Sequence, residues 1–177
     1  MRYREIATSY LVLPPELFEK QFQVVCPPKN LAKGWTQTGF VNWAIADFFR
    51  VNIDYYLEAG KLDAEARGYQ GFEGDYYQDL LEDNLEPWAN GLRPRFEDSP
   101  LRQIVDAKEA RKNQHRLKQI RVSEYNAALI RLALEIDDLT LIQLTSRIVI
   151  WHFWEYWDAK GGYQWQIDGA ESETLEP

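Results

Sequence analysis

The strongest periodic signal lies between Gly39 and Ala59. Phe40, Ala44, Phe48, Val51 and Tyr55 recur at helical spacing, and Val41, Ile45, Ile53, Tyr56 and Leu57 widen that face almost all the way round. Asp47, Arg50, Asp54 and Glu58 form the only charged stripe. A helix apolar over so much of its circumference belongs at the centre of a domain. Gly60 is placed to end it as a C′ residue, with Leu62 to Arg67 as an extension after a break. Upstream, Ile6 and Tyr10 to Leu13 suit a short buried strand that Pro14-Pro15 must terminate, since proline cannot donate to a ladder. Leu17, Phe18 and Phe22 predict a short helix opening with Pro15 near N1. Gln23 to Cys26 predicts a second short strand stopped by Pro27-Pro28.

Gly68, Gly71 and Gly74 mark a loop, after which Asp75 caps a short helix through Leu85 that stops before Pro87. Asn90-Gly91 and Pro94 mark turns. Ser99-Pro100 pairs an N-cap serine with proline at N1, and no Gly or Pro interrupts the chain from there to Arg121, so the pattern predicts a helix over 100–122. A helical pattern resumes from Tyr125 to Leu134 after a break near Ser123. Residues 147–157 are dense in β-branched and aromatic side chains, which pack well on a pleated surface. With turn material at 158–162 and period-two alternation from Tyr163 to Asp168, they predict an aromatic β-hairpin over 147–168, with Leu139 to Thr145 as a third strand. The expected fold is therefore α+β: one helix-rich domain with a central apolar helix, a long basic helix and a C-terminal aromatic hairpin. The alternative is an all-α fold with residues 124–158 helical, in which Leu141, Leu144, Ile148 and Trp151 share one side.

Composition narrows the class. The 177 residues are 45% hydrophobic with 7 Trp, 10 Tyr and 8 Phe, enough apolar surface to offset the ordering entropy of a folded domain. That domain is expected over residues 1–168, with 169–177 as an acidic flexible tail. Cys26 is the only cysteine, which excludes a disulfide framework and predicts a small buried thiol. One cysteine and two histidines, His115 and His152, cannot supply the four soft ligands of a common zinc cluster, and no metal or cofactor is expected. The apolar stretch Tyr10 to Leu13 is too short for a signal-peptide core, and no run approaches the ~20 apolar residues of a spanning helix. A soluble cytoplasmic protein without membrane contact is the expectation.

Charge adds one asymmetry. The net charge of −8 conceals a basic block at 101–131, net +5, between acidic blocks at 61–100, net −6, and 132–177, net −7. On a helix, Lys108, Arg111, Lys112, His115, Arg116 and Lys118 occupy slightly under half the circumference, opposite a thin seam of Ala107, Ala110, Gln114 and Leu117. A cationic face of that kind suits a phosphate backbone or an acidic partner, or docks on the chain's own acidic strip Glu73 to Glu86. The second sticky feature is aromatic: Trp151, Trp154, Tyr156, Trp157 and Trp165, of which a two-stranded ribbon buries only one face. Asp47 and Asp54 flank Arg50 at ion-pair spacing, and His152 with Glu155 has the i,i+3 spacing of a helical metal pair. As strand residues, His152 and Glu155 would point to opposite faces. No nucleophile elbow, phosphate-cradling loop or dinucleotide fingerprint is present. These features predict a non-catalytic accessory or adaptor subunit of a larger protein or ribonucleoprotein complex, contacting a protein partner and, within the complex, nucleic acid. Two alternatives stand beside it. One is an enzyme whose aromatic-lined pocket holds Trp43 and carboxylates of the 39–59 helix. The other is direct binding of a nucleic-acid backbone.

Overall fold

The structure, a computed structural model, describes residues 6–27, 34–69, 71, 73–104 and 113–158, the side chains of Trp157 and Asp158 excepted. The first apolar run forms strand β1 (Ala7–Val12). Its partner is β2 (Gln114–Arg121), antiparallel to it in a two-stranded sheet. The ladder is flanked by Val122 N–H donating to the Ile6 carbonyl at 3.0 Å and Leu13 N–H donating to the Asn113 carbonyl at 3.0 Å.

Residues 114–121 are thus a strand, which corrects the expected helix over 100–122; residues 100–103 are turn, and 105–112 lie outside the described residues. The presence of a sheet also overturns the all-α class of the alternative, whereas its helical reading of residues 124–158 matches the structure apart from the turn at 138–140. The reason is tertiary. β1 ends at Pro14-Pro15 and finds no local hairpin partner, so its amides and carbonyls need a strand from elsewhere in the chain. The seam available to a 100–122 helix, by contrast, is only weakly apolar. The register shifts between the Thr8–Ile120 and Tyr10–Arg116 pairs, giving a bulge on β2. Strict alternation from buried Leu117 would turn Gln119 and Arg121 inward and Ile120 outward. The bulge instead buries both Leu117 and Ile120 and leaves Arg116, Lys118, Gln119 and Arg121 exposed.

Both outer edges of this small sheet are covered by helix side chains, as exposed strand edges must be. Val12 N–H donates to Ser146 Oγ at 2.8 Å. On the other edge Lys118 N–H donates to Gln37 Oε1 at 3.3 Å, and Asn42 Nδ2 donates to the Arg121 carbonyl at 3.0 Å.

After β1 the chain turns through a helical segment made of α1 (Pro15–Leu17), a π-turn (Phe18–Phe22) and α2 (Gln23–Val25). The strand expected at 23–26 is therefore helical; Val25 and Cys26 are buried all the same. The central helix α3 (Gln37–Ala66) starts at the Thr36 N-cap, whose hydroxyl accepts from Gly39 N–H. It continues past Gly60, which is no cap: a Cβ there would stand 3.0 Å from Leu132 and 3.2 Å from the Tyr77 hydroxyl, so glycine allows close helix contact. The helix ends at Gly68, at φ 89°, where Gly68 N–H donates to the Glu65 carbonyl and Tyr69 N–H to that of Ala64, a Schellman closure.

α4 (Glu73–Glu82), α5 (Glu124–Asp137) and α6 (Leu141–Phe153) complete the fold, and a π-turn (Trp154–Asp158) follows α6. The strands expected at 139–145 and 147–157 are thereby replaced by helix, and the second hairpin strand, 163–168, lies outside the described residues, as does the tail 169–177. A capping box explains where α6 starts: Gln143 N–H donates to the Thr140 hydroxyl while Thr140 N–H donates to Gln143 Oε1. Burial on several sides explains the rest. Leu144, Ser146, Ile148, Val149, Ile150 and Phe153 are all buried, because α6 lies among α3, α5 and β1. The result is a single mixed α+β domain, mostly helical, with one short antiparallel sheet.

Ser146→Ala is expected to leave the Val12 amide buried without an acceptor and to lower unfolding free energy by about 1–3 kcal/mol, read from urea denaturation by far-UV circular dichroism; an unchanged midpoint would show that the sheet edge does not depend on this bond.

Candidate functional site

The sequence-predicted cationic residues do not stay together. Lys108, Arg111 and Lys112 lie outside the described residues. His115 turns partly inward: its ring stacks on Phe18 with centroids 3.8 Å apart, and its Nε2 is 3.2 Å from the Leu13 carbonyl. Arg116 and Lys118 stand on the outer face of β2, and among the described residues neither side chain has a carboxylate partner. Tyr10, expected in a buried strand, is exposed and directly opposite Arg116 in the ladder.

The aromatic set divides too. Trp151 is half-buried, meeting the edge of Phe48 at 5.1 Å. Trp154 is 40% exposed. Tyr156 is half-buried and stacks on His152 at 4.5 Å. The side chain of Trp157 and all of Trp165 lie outside the described residues.

Around His152 the helical form of residues 141–158 creates a cluster that a strand could not. The imidazole is fully buried on α6, facing α3. Trp43 meets it at 4.6 Å and Phe40 at 5.6 Å, both edge-on. Trp43 in turn stacks on Trp35 at 4.8 Å. His152 Nε2 lies 3.6 Å from Asp47 Oδ2, beyond hydrogen-bond distance but close enough for charge to be felt. Asp47 Oδ1 accepts from Arg50 Nη2 at 2.7 Å and Nε at 3.0 Å. The Tyr156 hydroxyl is pushed above its ordinary pKa first by desolvation and then by Asp47. Glu155 is exposed while His152 is buried, so the two do not form a ligand pair. Among the described residues no group of three His, Cys, Asp or Glu is gathered as a metal ion requires. Burial raises the Cys26 thiol to about 12, which keeps it un-ionised at neutral pH.

Two further buried carboxylates are not singled out by the sequence pattern. Asp63 on α3 accepts from Tyr76 Oη at 2.7 Å and Arg67 Nε at 3.2 Å. The Arg67 guanidinium also bonds Glu135 and the Glu86 carbonyl and lies 4.1 Å from the centre of the Trp88 ring. Asp137 at the end of α5 accepts from Tyr56 Oη at 2.8 Å. A surface pocket of about 420 Å³ opens beside the first of these networks, lined by Leu85, Trp88, Arg93, Leu134, Glu135 and Asp138 among others, and among the described residues none of the sequence-predicted site residues lines it. The signal for these carboxylates is faint: Asp63 sits one heptad after Tyr56 on a helix otherwise apolar over most of its surface. Among the described residues no helix is long and apolar enough to cross a membrane.

Desolvation raises the pKa of Asp137 above 3.8, against the opposing pull of the Ser99 and Tyr56 hydroxyls and of Arg102 and Arg147. The folded state therefore holds this proton more tightly than the unfolded chain. The associated stability is full below 3.8 and is lost as pH rises through the folded pKa. Asp137→Asn keeps an acceptor for Tyr56 and does not titrate. The stability of this variant relative to wild type should therefore rise with pH from below 3.8 and level off above the folded pKa, as read from denaturant unfolding at a series of pH values. No protein-family model, curated protein or solved structure matches the chain.

Proposed function

We propose that the protein is a non-catalytic accessory or adaptor subunit of a larger protein or ribonucleoprotein complex. What carries the reading is the outer face of β2. Arg116 and Lys118 project from a rigid, edge-protected sheet, and among the described residues no aspartate or glutamate neutralises them. Cations contribute little to folding when they stand in water, and on a surface they chiefly steer and select partners. Exposed Trp154 supplies a second contact of the kind enriched at protein interfaces. Arg116→Glu with Lys118→Glu is expected to reduce recovery of partners in affinity purification from the native source while shifting the melting temperature by less than about 2 °C, since neither side chain is packed. Undiminished recovery would overturn the assignment of this face.

A second reading, an enzyme, draws on one observation: Asp47, Trp43 and His152 do come together. It requires that a substrate reach the imidazole, which Phe40, Trp43 and Tyr156 enclose. Diethylpyrocarbonate labelling of the native protein, read by mass spectrometry, separates the two. The accessory reading expects His152 to react only on unfolding; rapid modification of the folded protein would favour catalysis.

A further inference from the structure

We propose that the outer face of the β1–β2 sheet holds single-stranded nucleic acid, with phosphates along Arg116 and Lys118 and a base stacked on Tyr10. The inference rests on the reading of this face as a contact surface and names what occupies it. Three observations converge on that occupant.

The first is linear charge. A strand advances about 3.3 Å per residue, so Arg116 and Lys118 project to one side roughly 7 Å apart. A row of cations along an extended backbone matches a chain of phosphates, whereas a globular acidic partner presents no such line. The second is an aromatic within the row. Tyr10, 39% exposed, is the cross-strand neighbour of Arg116, and directly opposed residues in a ladder hold their Cβ atoms about 5 Å apart. A ring so placed offers its face to a base whose phosphate Arg116 holds. Stacking of that sort needs an unpaired base, which favours a single strand over a duplex. The third is rigidity. Both sheet edges are hydrogen-bonded to helix side chains, by Ser146 on one side and by Gln37 and Asn42 on the other, so the row does not need to be ordered on binding.

The test uses the full chain and a 5′-fluorescein-labelled 12-nucleotide oligouridylate, followed by fluorescence anisotropy between 25 and 200 mM KCl. Binding should weaken with salt, with a log–log slope of about −1.4, as two phosphate contacts on a single strand give. Arg116→Glu with Lys118→Glu should lower affinity at least tenfold and bring the slope close to zero. Tyr10→Thr, which keeps strand propensity, should cost roughly tenfold with the slope unchanged, and Tyr10→Phe should restore wild-type binding. A 12-base-pair duplex should bind more weakly and be indifferent to Tyr10→Thr. Circular dichroism melts confirm that each variant is folded. No anisotropy change at 25 mM KCl with micromolar protein overturns the proposal, as does a wild-type affinity and slope for the double variant, or an unaltered affinity for Tyr10→Thr. If the oligonucleotide does not bind but the charge reversal still loses partners in affinity purification, the contact surface stands and its occupant is a protein. If neither measurement responds, both readings fall together.

Discussion

The fold depends on the pairing of Ile6–Leu13 with Asn113–Val122. β1 cannot close a hairpin with the segment just after it, because two prolines intervene and the chain then turns helical. Its backbone groups are satisfied only when residues roughly one hundred positions later arrive, and closing a loop of that length costs about 4 kcal/mol in chain entropy beyond a constant. The intervening chain offsets that cost by burying α3. Phe40, Val41, Ala44, Ile45, Phe48, Phe49 and Tyr56 leave water only if something covers several sides of one helix. The sheet covers one side, α5 and α6 others, and α4 its far end. Ser146 then ties α6 back to β1, so the first strand and a late helix lock each other in place.

A helix enclosed in this way could slide or rotate against its neighbours if every contact were greasy. Three carboxylates oppose that freedom. Asp47 faces α6 at His152, Tyr56 reaches Asp137 on α5, and Asp63 ties α3 to α4 through Tyr76. A one-turn slip would separate these groups and leave buried polar atoms without their partners, at a cost of about 1–3 kcal/mol each. This accounts for the placement of ionisable groups in the core without invoking chemistry there. The raised pKa values of Tyr56, Tyr76 and Asp137 have burial as their leading cause, not a reaction to be catalysed.

How much of this is legible in the sequence depends on the range of the interactions. The segment 39–59 announces a helix because its periodicity is a property of the segment itself, and β1 is legible from its apolar run and the prolines behind it. Gly60 misleads because a glycine that permits close packing and one that caps a helix look alike in sequence; Gly68 is the terminator. The C-terminal third reads as strand on the weight of Ile148, Val149, Ile150 and the aromatics, yet Thr140-x-x-Gln143 is a capping box visible in the sequence, and it specifies the helix. β2 is the least accessible. Leu117 and Ile120 are spaced by three, a helical interval, and only a bulge makes them neighbours on one face of a strand. A bulge is imposed by the partner strand, which no local window contains. The same blindness hides Tyr10, whose exposure depends on the register it adopts with Arg116.

Recasting the basic segment as a strand changes what its charges can recognise. On a helix, cations spread over nearly half a cylinder and present a broad field suited to a groove or a large acidic surface. On β2 the described cations Arg116 and Lys118 stand two residues apart on the outer face, with Tyr10 beside Arg116 and Leu117 and Ile120 buried. A single file is selective for an extended polyanion and poorly matched to a flat one. The net charge of −8 does not by itself oppose the contact proposed for this face. At physiological ionic strength fields between exposed charges decay over about 8 Å, so distant acidic segments would weigh little against the groups next to a phosphate bound as proposed. What matters there is local, and Arg116, Lys118 and Tyr10 are the groups the fold brings to that spot.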